Sequence, residues 1–404
     1  MYDLLKGMRV VEAAAFVAGP SCGLHLAQLG AEVIRIDQIG GGPDFNRWPL
    51  DPAHGASLYW EGLNKAKKSV ALNLSSPEGR ELAARIATAP GDEAGLFVTN
   101  FPAEGFLSYE RLRKLRDDLI CVRVMGWPDG RPAVDYTVNA AVGLPLMTGP
   151  ADDPRPVNHV LPAWDLLTGA YAAFCLVSAE RSRRATGQGC EVRLPLSDIA
   201  IASLANLGQV GEVLSTGADR ARMGNDLYGA FGRDFVTLDG RRLMIVAITP
   251  RQWTGLIAVL GLEAAVAALE AELGVSLAAD EGVRFQHRDR LNPMLDAAIA
   301  LRTADALTPA FESRGVCWGP YQTLKQAVET DPYFNAANPI LTEIDHPSGR
   351  RYMAPGFPGS VPDHDRKPPV AAPRLGRDTD EVLAEVLGLS SGEIARLHDA
   401  GLAG

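Results

Sequence analysis

Apolar and polar positions along this chain switch repeatedly between two periods. Residues 8–13, MRVVEA, form a short apolar run rich in β-branched side chains, and residues 31–37, AEVIRID, form another. Between them lie the turn residues GPSCG and the helically spaced LHLAQLG, which ends on Gly30, a natural helix stop. Strand, loop, helix, strand is the grammar of an open parallel sheet. The pattern continues with a strand over 69–74, a helix over 75–89 started by Ser76, Pro77 and Glu78, and a strand over 95–101. A helix over 109–116 and a strand over 119–126 follow. A long helix over 161–183, opened by Pro162, leads to a further strand and turn over 190–198. The expected fold class is α/β, with a doubly wound sheet.

The grammar then changes. Residues 233–249 alternate around an Asp-Gly turn, the signature of a hairpin, and helical segments are predicted over 251–271 and 288–314. Residues 222–330 therefore read as a separate small α+β domain, with 206–221 as a linker. A second hairpin is expected over 340–354, a Pro-rich extended arm over 355–373, and helices over 378–387 and 390–400.

Composition narrows the function. A length of 404 residues suggests two domains, and a formal net charge of −10 argues against a nucleic-acid partner held by broad electrostatics. The five cysteines form no C-x-x-C pair and read as reduced thiols; the seven histidines show no metal-ligand spacing. Apolar stretches such as 170–179 are too short to span a bilayer, and Lys6 and Arg9 interrupt the opening apolar run, so a cytoplasmic protein without a membrane partner is expected. The loop AAAFVAGPSCG lacks G-x-G-x-x-G, which weighs against a dinucleotide site despite Asp37 at the end of the second strand. One acidic residue stands out: Asp165, wedged between Trp164 and Leu166 in the first turn of the long helix. By position alone it reads as a helix cap, kept charged by the helix start and poorly hydrated by its neighbours.

Six segments in order carry a resemblance. AGPSCGLHLAQLGAEVIRID, NKAKKSVALNL, VTNFPAEG, TGQGCEVRLPLSD, GVCWGPYQT and PRLGRDTDEVL resemble motifs of the class III coenzyme A transferases, over nearly the whole chain. The resemblance implies a Rossmann-like large domain from 1–205 and 331–404, a small domain between, and an interlocked homodimer. It implies acyl-CoA substrates, no metal, and no cofactor beyond coenzyme A itself. GGGPDFNRWP, VDYTVN, VNHVLPAWD and LYGAFGRDF further resemble members that move CoA between the C1 and C4 carboxyls of mesaconate within one molecule. The alternative is intermolecular transfer between dicarboxylic acids such as succinate. A racemase is disfavoured, because Val134 stands where racemases carry a histidine before the residue matched by Asp135.

Residue by residue, the resemblance assigns Asp165 as the catalytic nucleophile. It assigns Phe16, Ala18, Leu72, Asn73, Asn100, Phe101 and Arg123 to CoA. Val17, Arg47, Trp48, Tyr59, Asp135, Tyr136 and Tyr228 are assigned to the substrate pocket, with Arg47 the candidate for a free carboxylate. Plainer readings stand beside these: a buried strand for Leu72 and Asn73, a turn former for Asn100, a surface ion pair for Arg47, and a helix-entry hydrogen bond for His159. Gln38, Ser75 and Ser108 occupy places where formyl-CoA transferases carry basic residues, leaving Lys65, Lys67, Lys68 and Arg123 as open candidates for the CoA phosphates.

Overall fold

The apolar runs become strands buried on both faces, as a parallel sheet requires. A computed structural model describes residues 1–404. In chain order it forms β1 (Arg9–Ala13), α1 (Ala18–Gln28), β2 (Glu32–Gln38), α2 (Leu58–Leu63), β3 (Lys68–Leu72), α3 (Pro77–Ala87), β4 (Leu96–Thr99), α4 (Tyr109–Leu112), β5 (Ile120–Met125) and α5 (Asp135–Ala141). Next come α6 (Leu144–Met147), the long α7 (Ala163–Thr186), β6 (Cys190–Pro195), α8 (Leu196–Asn206) and α9 (Gln209–Thr216). Strands β1 to β6 make one parallel sheet in the order β3-β2-β1-β4-β5-β6. The order reverses between β1 and β4. The crevice beyond the carboxyl ends of those two strands is where doubly wound folds bind ligands.

The chain divides into two units. One comprises Met1–Val142, His159–Ser215 and Asp331–Gly404; the other comprises Gly143–Asn158 and Thr216–Thr330. Residues 143–158 group with the second unit because Arg222 gathers their carbonyls: its guanidinium donates to Leu146 O at 2.7 Å, Arg155 O at 2.6 Å and Pro145 O at 3.1 Å, and also to Asp153 O. The segment read as a linker contains α9.

In the second unit, β7 (Phe231–Val236), β8 (Arg242–Ala247) and β9 (Cys317–Pro320) form an antiparallel sheet in that order. The two helical stretches read from sequence are each split. Gly261, at φ +68°, stops α10 (Pro250–Leu260) before α11 (Glu263–Leu273). After α12 (Glu281–Gln286) and α13 (Arg288–Ile299), the Thr303 hydroxyl accepts from the Ala306 N–H and starts α14 (Ala304–Arg314). Phe231, Phe235, Trp253 and Phe311 centre this unit's core.

The last segment returns to the first unit after α15 (Leu324–Thr330), through the hairpin β10 (Leu341–Asp345) and β11 (Arg351–Pro355), then α16 (Thr379–Glu385) and α17 (Ser391–Asp399). Its end covers the edge strand β3: the Gly404 N–H donates to Ala71 O at 3.1 Å and the Asn73 N–H to Leu402 O at 3.0 Å. No helix is long and apolar enough to cross a membrane.

Beneath the crevice lies a buried ionic cluster. Glu12 and Arg35 are register partners on β1 and β2. Arg35 sends Nε and Nη2 to Asp37 at 2.9 and 3.0 Å, Nη2 to both Asp44 oxygens at 2.9 and 3.0 Å, and Nη1 to Asn64 Oδ1 at 3.1 Å and Glu12 Oε1 at 3.4 Å. Lys67 Nζ has three donors and three acceptors: Glu12 Oε1 at 3.0 Å, Asn64 Oδ1 at 3.0 Å and Pro20 O at 2.8 Å. The guanidinium of Arg35 rests 4.4 Å from the centre of the Trp60 ring. Burial pushes the Glu12 and Asp37 carboxyls up, in a cluster with one carboxylate more than it has cations.

Gly23 on α1 is the cluster's roof: a Cβ there would collide with Glu12 Oε2 and come within 3.2 Å of the Lys67 side chain. Gly23→Ala is expected to destabilise the protein by about 1–3 kcal/mol through overpacking, read as a lowered denaturant midpoint. An unchanged midpoint would show that the cluster has room to spare.

Candidate active site

The loop from β1 to α1 is clamped at three points. Asn100, just past β4, accepts the Ala15 N–H at 3.1 Å and donates to Ala15 O at 2.9 Å. Asp44, already held by Arg35, accepts the Phe16 N–H at 3.1 Å. Lys67 takes Pro20 O. Between the clamps Phe16 sits at φ +70°, a left-handed conformation that a bulky residue adopts only when its surroundings impose it. Phe16 is half-exposed as a result, while Val17 and Ala18 are buried at the start of α1.

Helix α7 packs directly on the first turn of α1, which follows this loop. A Cβ at Gly169 would collide with Ser21 Oγ and stand 2.8 Å from Ala18 O, so a glycine permits the close approach. Asp165 lies one turn earlier on the same face of α7, half-buried.

The helix start does not serve Asp165 as the sequence suggested. Asp135, 1% exposed, reaches across from α5 and takes the Trp164 N–H at 2.6 Å and the Asp165 N–H at 3.1 Å through one oxygen. Its other oxygen meets His159 Nε2 at 2.5 Å. Asp135 is therefore the cap, and the Asp165 carboxylate accepts no hydrogen bond from the protein. Burial first, then the neighbouring Asp135 charge, push the Asp165 carboxyl up to about 6, with Arg47 opposing them. The expectation that helix amides keep Asp165 charged is corrected: those amides are spent on Asp135.

Aromatic side chains and one arginine surround the Asp165 carboxylate. The Arg47 guanidinium lies 5.2 Å from the ring centres of both Phe16 and Tyr59 and forms no ion pair. Tyr59 Oη is buried without a hydrogen-bond partner, and burial pushes its hydroxyl up to about 12. Tyr136 stacks edge-on against His159 at 5.7 Å and donates to Val160 O at 3.4 Å. Trp164 Nε1 donates to Asn139 Oδ1 at 3.2 Å, which fixes the indole beside Asp165. A half-buried, unbonded carboxylate near one unpaired guanidinium is suited to nucleophilic attack on an electrophilic acyl carbon.

A family model described as CoA-transferase family III matches residues 5–379. The chain belongs to that family. It is 49% identical over 404 residues to the 2-methylfumaryl-CoA isomerase of Chloroflexus aurantiacus, covering 100% of this chain and 98% of that one. It is 29% identical to the succinyl-CoA–D-citramalate CoA-transferase of the same organism, covering 98% of this chain and 96% of that one. A crystal structure of a CaiB/BaiF family protein from Brucella suis superposes with a TM-score of 0.75 at 27% identity, covering 96% of this chain and 100% of that one.

Within this class III transferase chain, the structure gathers Phe16, Arg47, Tyr59, Asp135, Tyr136 and Asp165 at one crevice. Trp48, 76% exposed, projects into solvent. Tyr228 belongs to the other unit, where Arg220 lies 3.7 Å from its ring centre. At the edge of the sheet, Leu72 is fully buried, and Asn73 Nδ2 holds Gly401 O at 3.2 Å while its Oδ1 accepts the Ser75 N–H at 3.2 Å. Asp37 is locked on Arg35, which removes it as a ribose ligand.

Arg123 requires correction as a phosphate ligand. It is fully buried, with Nε on Glu191 at 2.8 Å, Nη1 on Phe101 O and Pro102 O at 2.7 and 2.9 Å, and Nη2 on Leu107 O at 3.2 Å. It braces the loop that carries Phe101. Sequence reasoning missed the Glu12–Arg35–Lys67 cluster, while the helix-entry hydrogen bond expected of His159 is present, made to the Asp135 carboxylate that caps α7. The signal for the cluster was present: charged residues inside otherwise apolar strands of a two-sided sheet need partners.

For a reaction in which the Asp165 carboxylate attacks, kcat/KM is expected to rise with pH through an apparent pKa near 6. Asp135→Asn keeps an oxygen to accept the helix amides but removes the repelling charge, so the rise is expected about one pH unit lower. A pH–rate profile identical in shape and position for both proteins would refute this coupling.

Proposed function

We propose that the chain transfers CoA within one molecule, from the C1 to the C4 carboxyl of mesaconate, with Asp165 as the covalent carrier. The observation that carries the substrate is the full-length likeness to a 2-methylfumaryl-CoA isomerase. The chemistry rests on Asp165, half-buried, unbonded and set beside Arg47.

An Asp165 oxygen attacks the C1 thioester carbonyl; the C–S bond breaks, and CoA thiolate leaves a mixed anhydride. The thiolate attacks the aspartyl carbonyl, breaking the anhydride C–O bond to give an aspartyl-CoA thioester and mesaconate dianion. The dianion turns, and its C4 carboxylate attacks the aspartyl carbonyl, expelling thiolate again. The thiolate attacks the C4 carbonyl and frees the Asp165 carboxylate. No net proton moves, and each step is an acyl substitution, so the proposal calls for no metal or redox group. Arg47 pairs with whichever substrate carboxylate is not reacting, its fork held flat by Phe16 and Tyr59. Tyr59 Oη, left without a partner in the protein, donates to the substrate. Phe16, Val17, Ala18, Leu72, Asn73, Asn100 and Phe101 border or brace the path of the CoA arm along the crevice.

Asp165→Asn retains shape but loses the nucleophile; turnover is expected to fall by about four orders of magnitude or more, as for removal of other covalent nucleophiles. Wild-type enzyme given mesaconyl-C1-CoA with labelled free mesaconate or succinate is expected to leave the product unlabelled. Efficient label incorporation would select the intermolecular reading instead, and a fully active Asp165→Asn would end both.

A homodimer, interlocked as in the class III family, is also proposed. Exposed apolar residues support it: Phe174 on α7 is 69% exposed, and Leu207 and Leu214 near α9 are 73% and 81% exposed. Sedimentation is expected to give twice the chain mass; a monomer at micromolar concentration would exclude the dimer.

A further inference from the structure

We propose that Arg80 binds a phosphate of the nucleotide end of coenzyme A. The inference deepens the function proposed above and rests on its reading of an acyl-CoA substrate. Such an ester brings several negative charges to a chain whose formal net charge is −10, so a cation must meet it.

The cations named from sequence are already committed. Lys67 is buried in the cluster under the crevice, and Arg123 is buried with its donors on Glu191 and three carbonyls. Lys68 pairs with Glu32 and Glu381, both at 2.7 Å. Lys65 is buried, donates to Gly62 O, and is pulled down to about 8 by burial, which disfavours its charged form. Of the neighbouring arginines, Arg111 pairs with Glu81 at 3.2 Å.

Arg80 differs from all of these. It is exposed on the first turns of α3, just past the carboxyl end of β3, on the side of the sheet where the β1–α1 loop lies. Its Nε donates to Leu74 O at 2.7 Å, which ties the guanidinium to the loop that follows Asn73. The guanidinium carbon lies 5.4 Å from the centre of the Phe106 ring, and Phe106 packs edge-on against Phe101 at 6.1 Å. No carboxylate pairs with it, and neither terminal nitrogen donates to a protein acceptor. One donor is pinned and the plane is supported by a ring, while the Nη pair stays available as a fork. That geometry suits the two oxygens of a phosphate.

The test compares wild type with Arg80→Gln and Arg80→Lys on three mesaconyl thioesters: of CoA, of 3′-dephospho-CoA and of pantetheine. Charge-assisted hydrogen bonds of this kind correspond to about tenfold or more in affinity. Arg80→Gln is expected to raise KM for the CoA ester by about that factor while moving KM for the pantetheine ester less than about twofold, with Arg80→Lys between. A loss confined to the CoA ester assigns the 3′-phosphate; a loss shared with the dephospho ester assigns the diphosphate. If Arg80→Gln preserves the wild-type preference for CoA over pantetheine, Arg80 is not the ligand, and the acyl-CoA reading stands. If wild type itself treats the CoA and pantetheine esters alike, the proposal falls together with the nucleotide-end site.

Discussion

The buried guanidinium of Arg35 is the constraint on which the site depends. It holds Asp37 and Asp44, reaches Glu12 on the neighbouring strand, and lies against Trp60. Buried ion pairs are weak evidence of stability, because desolvation offsets much of the attraction, but loss of one partner is costly at about 3–5 kcal/mol. The cluster's consequence is therefore conformational. Asp44 can hold the Phe16 amide only while Arg35 holds Asp44, and Lys67 can hold Pro20 O only while Glu12 and Asn64 orient its ammonium. A positive φ at a phenylalanine persists because both sides of it are fixed in this way. The energy of the ionic core is expressed as the shape of a loop.

The two carboxylates at the head of α7 divide a task that one could not perform. Asp135 spends its lone pairs on two helix amides and an imidazole, so it is held in place by contacts while its charge still bears on Asp165. Asp165 receives neither amide and sits beside that satisfied neighbour with only Arg47 to favour its charge. Environments that separate the behaviour of paired acids are a recurrent way of giving them different roles. A carboxyl near 6 is largely ionised at neutral pH yet poorly solvated, the state a nucleophile needs. Had Asp165 capped its own helix, its charge would have been stabilised and its carboxylate made a weaker nucleophile.

Much of the fold was legible because the sheet's strands are two-sided. Runs such as MRVVEA can only be buried, and the glycines and prolines between them mark the turns, so residues 9–13, 32–38 and 96–99 fall where periodicity places them. The helical stretch over 251–271 was read whole because its apolar period runs through Gly261, whose left-handed φ breaks it. Strand β9 was missed because four residues, CWGP, carry too little alternation to register. At the site, Asp165 is singled out by resemblance, but its electrostatics differ from the expectation. Which acid takes the helix amides is decided by α5, thirty residues earlier in the chain, and local sequence holds no record of that approach.

The arginines divide into those whose donors are spent within the protein and those whose forks are unspent. Arg35 and Arg123 are fully buried with their donors committed to protein oxygens, so their charge is already used in building. Arg47 and Arg80 are exposed and steadied by ring faces, and no carboxylate neutralises either. An aromatic face orients a guanidinium while leaving its hydrogen-bonding edge unspent, whereas a carboxylate partner orients it by consuming that edge. One such arginine stands beside Asp165 and the other beside the strand edge that carries Leu72 and Asn73. An elongated substrate with a carboxylate at one end and phosphates at the other is the kind of molecule that two separated, unspent forks would accommodate.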